Sequence, residues 1–111
     1  MRSFLLSLAF VLIISANGFC HNPSSINVTV KEGAIDVVVY HSVSDPTTHN
    51  VKRIEVKLNG DMTSEKDFTS QADDMTQKTN FDIPSLKKRD ILEIIAYCSK
   101  SGDVEKSVTV E

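Results

Sequence analysis

The chain contains no tryptophan, and its only aromatic residues are two tyrosines and five phenylalanines. That leaves no stacked platform for single-stranded bases. It also excludes the tryptophan-and-disulfide centre of antibody domains. There is no basic excess: 12 Lys and Arg stand against 15 Asp and Glu, a formal net charge of −3. A nucleic-acid partner would require a basic surface, so that class is excluded. The one basic cluster, Lys87-Lys88-Arg89, reads as a solvated turn. No glycine-rich phosphate loop, internal repeat or low-complexity segment is present. Only two cysteines, Cys20 and Cys98, occur in 111 residues. In an oxidising compartment, two cysteines suggest one disulfide by default.

The beginning of the chain is of a different kind. Met1-Arg2-Ser3 is a short basic start, and residues 4–14 are apolar except for Ser7. Ser15-Ala16-Asn17-Gly18 then offers small residues for a signal peptidase. This is the pattern of a secretory leader, too short to span a bilayer comfortably. The expectation is a leader over residues 1–18, cleavage after Gly18, and a secreted chain of residues 19–111. Removing the leader takes away Arg2 and makes the balance more acidic. Cleavage after Cys20 is an alternative that would place His21 at the amino terminus. Its amine and imidazole would then chelate copper together with His41 or His49. No later run is long and apolar enough to cross a membrane.

Beyond the leader the hydrophobic period is two. Residues 26–30 alternate, and Lys31-Glu32-Gly33 is a turn. Residues 34–40, rich in β-branched side chains, read as a central strand. Residues 41–50 form a polar loop containing Asp45-Pro46. Residues 51–58 alternate, with Ile54, Val56 and Leu58 on one face and Arg53, Glu55 and Lys57 on the other. Asn59-Gly60 is a strong two-residue hairpin signal. Residues 61–68 are a weaker strand and 69–76 a polar loop; a helical turn across 64–74 would lack apolar residues at helical spacing. Residues 77–83, 91–97 and 104–110 complete about seven strands. The prediction is one domain, an all-β immunoglobulin-like antiparallel sandwich.

Three histidines remain after the leader, and none lies inside a predicted strand. His21 opens the chain, His41 ends the second strand, and His49 ends the following loop. Cys98 ends the sixth strand. Loops on a sandwich scaffold are where functional groups collect, and imidazole with thiol is a metal-ligand set. Taken singly, each histidine is more simply a solvated side chain. Ser42 near His41 and Asp45 has no nucleophile-elbow context. Asp61, Asp73 and Asp74 read as turn residues. Asn27-Val28-Thr29 is an N-glycosylation acceptor in a eukaryotic host.

These residues also carry a resemblance. His21-Asn22-Pro23 is followed twenty positions later by His41, and then by His49-Asn50-Val51-Lys52-Arg53-Ile54-Glu55. The run from Pro84 to Leu92 leads to Ala96-Tyr97-Cys98-Ser99-Lys100-Ser101-Gly102. The pattern resembles the ferrous-iron domain of the superoxide reductase family, also called desulfoferrodoxin or neelaredoxin. The resemblance implies a mononuclear iron site at His21, His41, His49 and Cys98, with Cys98 the axial and catalytic thiolate. It implies reduction of superoxide to hydrogen peroxide, with no organic cofactor. The sequence departs from the pattern in three places. Ser101 stands where the family has a fourth histidine. Asp103-Val104 stands where a tryptophan usually follows the glycine, and Phe19-Cys20 replaces a Glu-Lys pair. Three imidazoles and one thiolate also suit zinc or copper. The resemblance further implies that Cys20 lies near Cys98. A Cys20–Cys98 disulfide would contribute about 4 kcal/mol by the chain-entropy model. It would also consume the thiolate, leaving a non-catalytic secreted binding or structural module with a vestigial site. The two readings, metalloenzyme and non-catalytic module, both stand on the sequence.

Overall fold

The computed structural model describes residues 23–111. The predicted leader, its cleavage site, Cys20 and His21 lie outside the described residues, and with them the proposed Cys20–Cys98 pairing. Seven strands follow in order: β1 Ser25–Lys31, β2 Ala34–Tyr40, β3 Val51–Leu58, β4 Asp61–Asp67, β5 Thr76–Asp82, β6 Ile91–Cys98 and β7 Asp103–Thr109. All pairings are antiparallel. One sheet has the order β1-β2-β5 and the other β4-β3-β6-β7. The predicted immunoglobulin-like sandwich is therefore the fold. In constant-type immunoglobulin domains the fourth strand joins the first sheet. Here the Asn59-Gly60 turn commits β4 to β3 instead. Both turn residues have positive φ, 52° and 90°, as a type I′ turn requires.

Period-two alternation builds the core. Ile35, Val37 and Val39 of β2 face Ile54 and Val56 of β3 and Leu92, Ile94 and Ala96 of β6, all fully buried. Phe81 and Ile83, on and just after β5, join them. Each such side chain gains roughly 1.5–3 kcal/mol from burial. β4 buries none of its residues. It is held by the tight hairpin and by Lys66, whose ammonium donates to Thr79 Oγ1 and the Asn80 carbonyl of β5. That contact ties the edges of the two sheets together. β4 ends at Asp67, and the residues between it and β5 form no helix.

At one pole Asn59 and Asp90 hold the β3–β4 hairpin against the start of β6. Asn59 Nδ2 donates to Asp90 Oδ1 at 3.1 Å, and the Lys87 amide donates to Asp90 Oδ2 at 2.9 Å. Lys87, Lys88 and Arg89 are exposed, as expected of a solvated turn. The Asn59 and Lys87 donors hold the Asp90 carboxyl below its usual value. A depressed carboxyl contributes stability that is present above the unfolded-state value, near 3.9. That stability is lost as pH falls through the folded-state value. Asp90→Asn should therefore lower the urea midpoint at pH 7. The deficit should shrink at pH 3, below the unfolded-state value, where protonation of this carboxyl in the unfolded chain already draws on the wild-type advantage. A deficit of the same size at both pH values would remove Asp90 as a source of acid sensitivity.

Candidate metal centre

The opposite pole gathers the ends of β2, β3, β5 and β6. β2 ends at Tyr40 opposite Thr76, the first residue of β5. The β2 line continues one step, with the His41 amide donating to the Met75 carbonyl at 2.9 Å. His41 is thereby fixed at the mouth of the sandwich with only 2% of its surface exposed. His49 is delivered by a tight turn. Asp45 accepts from the Thr47 amide at 3.0 Å and hydroxyl at 2.6 Å, and its carbonyl accepts from the His49 amide at 3.0 Å. The Thr47 side chain, then its amide, holds the Asp45 carboxyl below the ordinary value.

Cys98 arrives at the last position of β6, opposite Val51. A reciprocal pair locks the neighbouring residues. The Ser99 amide donates to the Asn50 carbonyl at 2.8 Å, and the Asn50 amide donates to Ser99 Oγ at 3.0 Å. Each residue thus holds its predecessor, His49 or Cys98, at the same place. The turn closes with the Cys98 amide on the Gly102 carbonyl at 3.0 Å, Gly102 at φ 84°. Only glycine takes that conformation without strain.

The result is a cluster of His41, His49 and Cys98 whose candidate ligand atoms all lie within 4.8 Å of one another. His49 Nε2 is 3.0 Å from Cys98 Sγ. A hydrogen bond at this distance places a proton on the ring nitrogen or on the sulfur. A metal would displace it, since metal ligands must be deprotonated. At usual zinc bond lengths a tetrahedral nitrogen–sulfur pair sits about 3.5 Å apart. The pair need open only slightly. The imidazole rings of His41 and His49 meet edge to face at 4.8 Å. The Lys100 amide donates to Cys98 Sγ at 3.4 Å, and donors to a ligating sulfur tune its metal. Cys98 is buried and forms no disulfide among the described residues. Borderline nitrogen and sulfur donors of this kind fit iron, zinc or copper.

The other singled-out residues lie elsewhere. Ser101, which the resemblance sets at the position of a fourth histidine, is exposed in the turn between β6 and β7. Asn27 is exposed on β1, an edge strand. Ser42 is exposed, its hydroxyl directed to Met75 Sδ at 3.8 Å. Sequence reasoning missed Gln71. It sits in a stretch read as polar loop, yet it is only 5% exposed and hydrogen-bonds the His41 ring. Nothing about a lone glutamine among Ser, Ala and Asp marks it in the sequence.

A second polar feature lies on the outer face of β3 and β6. A cleft of about 560 Å³ is lined by Lys52, Arg53, Glu55, Asp67 and Tyr97. Arg53 pairs with Asp67 at 2.7 Å, and Tyr97 donates to Glu55 at 2.9 Å. The bond to Glu55, then burial, raises the Tyr97 pKa. Arg53, Glu55, Asp67 and Tyr97 thus satisfy one another.

Fold and site together define a class: an immunoglobulin-like sandwich with a metal-capable His–His–Cys cluster at one pole. No protein-family model and no curated protein matches the sequence. Among solved structures, the chain is similar to a variant of superoxide reductase (neelaredoxin) from Ignicoccus hospitalis. The TM-score is 0.50 at 18% identity, covering 86% of this chain and 86% of that one. Superoxide reductase (neelaredoxin) from the same organism gives a TM-score of 0.49 at 18% identity, over 80% of this chain and 82% of that one. The likeness is one of fold.

Proposed function

We propose that this chain is a secreted protein of superoxide-reductase type, holding one iron ion and reducing superoxide to hydrogen peroxide. The observation that carries the reading is the convergence of His41, His49 and Cys98. Four strand ends and two loops bring them together, from positions up to 57 residues apart in sequence. Support also comes from the fold shared with a superoxide reductase variant. His21, outside the described residues, is the proposed further imidazole. Ser101 leaves the fourth histidine position without a nitrogen donor.

The bound metal would supply one-electron redox chemistry at a coordination position open to a small anion. Superoxide would gain one electron there, with two protons from water, to give hydrogen peroxide, and an external one-electron donor would restore the starting state. The protein's part is narrower. The half-buried His49 and the buried His41 and Cys98 hold their donors in fixed positions, and the Lys100 amide stabilises negative charge on sulfur. The acidic overall balance makes nucleic acid an unsuitable partner.

The test uses residues 19–111 purified without reductant, with free thiols counted first. Two free thiols are expected. None would point to the Cys20–Cys98 bridge and the non-catalytic module. Anaerobic reconstitution should then give about one ferrous iron per chain and superoxide loss with peroxide formed and no oxygen released. Failure to take up iron, zinc or copper would remove the metal centre. Iron uptake without superoxide loss would remove the activity alone.

A further inference from the structure

The Gln71 side chain makes four hydrogen bonds from a loop that otherwise faces solvent. Its Nε2 donates to the His41 carbonyl at 2.8 Å and to the Asp73 carbonyl at 2.9 Å. Its Oε1 accepts from the Val51 amide at 3.2 Å and lies 2.8 Å from His41 Nδ1. These partners fix which way the side-chain amide points. Two carbonyls can face only the NH₂ group, and a backbone N–H can face only the oxygen. Rotating the amide by half a turn would set donor against donor and acceptor against acceptor in a buried site, at a high cost.

The consequence falls on His41. An oxygen that already accepts from Val51 can meet Nδ1 only as a second acceptor, so Nδ1 carries a proton. In the neutral imidazole Nε2 then carries the lone pair. We infer that Gln71 is a positioning residue that holds His41 in its Nδ1–H tautomer and so selects Nε2 as the atom offered to a metal beside His49 and Cys98. The loop that carries Gln71 is anchored for this task. The Gln71 amide donates to the Pro46 carbonyl at 3.0 Å in the loop that delivers His49. The Ala72 amide donates to the buried Gln77 Oε1 at 2.6 Å. Asp73 accepts from the Met75 and Thr76 amides at 2.8 and 2.6 Å. One side chain thus joins the end of β2, the start of β3 and the loop before β5. Such outer partners of a ligating histidine are typically worth about 10- to 100-fold in metal affinity. The metal-affinity part of this inference rests on the proposed metal centre; the tautomer part does not.

The test has two arms on the mature chain. In the first, metal-free protein labelled with ¹⁵N at histidine is examined by long-range ¹H–¹⁵N correlation. The neutral ring of His41 should show a protonated Nδ1 and an unprotonated Nε2. The reverse tautomer in the wild type would overturn the inference without any variant. In the second arm, Gln71→Met removes all four hydrogen bonds at similar volume. Gln71→Glu keeps the acceptor and loses the two donated bonds. The methionine variant should populate both tautomers and bind zinc roughly 10- to 100-fold more weakly, measured against a chromophoric chelator. The glutamate variant should keep the tautomer even though it is less stable. A folded methionine variant with the wild-type tautomer would overturn the inference. If the wild-type chain binds no zinc, cobalt or iron, the metal centre fails while the NMR arm still decides what Gln71 does to His41.

Discussion

Cys98→Ser should lower metal affinity by more than about 100-fold, beyond the range typical of outer-shell losses. The substitution keeps the shape of the side chain, so the fold should hold. Cys98 is 3% exposed, and its amide bond to Gly102 does not involve the sulfur. What changes is the donor. A thiolate is an anionic, polarisable ligand, whereas a serine hydroxyl stays protonated and binds borderline metals poorly. Only two imidazoles would remain in the described cluster. Cobalt substituted into the wild-type site should show an intense sulfur-to-metal charge-transfer band in the near ultraviolet. That band should be missing from the variant. A band of undiminished intensity in Cys98→Ser would mean that the metal takes its sulfur from elsewhere, with Cys20 the remaining cysteine.

The second large effect is on stability. Phe81→Ala should cost about 3–5 kcal/mol, the range for truncating a buried aromatic ring. Phe81 is 1% exposed and sits in the core cluster beside Ile35, its partner across β2 and β5. Its ring also lies 5.1 Å from the Lys66 ammonium, which bridges the sheet edges. The loss is large against the roughly 5–15 kcal/mol that stabilises a typical domain. For a chain of this size it should lower the melting temperature by more than about 10 °C. Phe81→Leu, which preserves most of the volume, should cost less than about 1.5 kcal/mol. Equal losses for the two variants would mean that the ring is not filling the space between the sheets. The exposed Lys66 contact should contribute only about 0.5–1 kcal/mol, so Lys66→Ala is a mild control.

The two effects separate because core and cluster occupy different parts of the sandwich. Phe81 packs between the sheets near the far end of β5, whereas Cys98 stands at the last position of β6 where the ladder stops. A protein can lose the donor and keep the fold. This is also why the non-catalytic module is a coherent alternative, and why the thiol count comes first.

The strands were legible because period two and β-branching are local properties. Residues 34–40 and 51–58 match β2 and β3 end to end. The Asn59-Gly60 dipeptide went further and determined a tertiary fact, the pairing of β4 with β3, because a two-residue turn leaves no other neighbour within reach. The boundaries of β5 and β7 are each one residue earlier than the alternation suggested. Polar Thr76 and Asp103 extend the ladders through backbone hydrogen bonds, which make no demand on hydrophobicity. The histidine and cysteine candidates were visible as residue types at strand ends. Their meeting was implied only by the resemblance and by no local pattern, since it depends on the Asn50–Ser99 lock and on the turn capped by Asp45.

By itself, then, the sequence determined the strand set, the sandwich class, the β3–β4 hairpin and the identity of the thiol and imidazole donors. Each of these follows from nearest-neighbour patterning or from a single residue's chemistry. Only the tertiary structure decided that His41, His49 and Cys98 converge while Ser101 faces solvent, and that Gln71 fixes the His41 ring. Those outcomes depend on contacts between residues 30 and 49 positions apart, which no local pattern encodes.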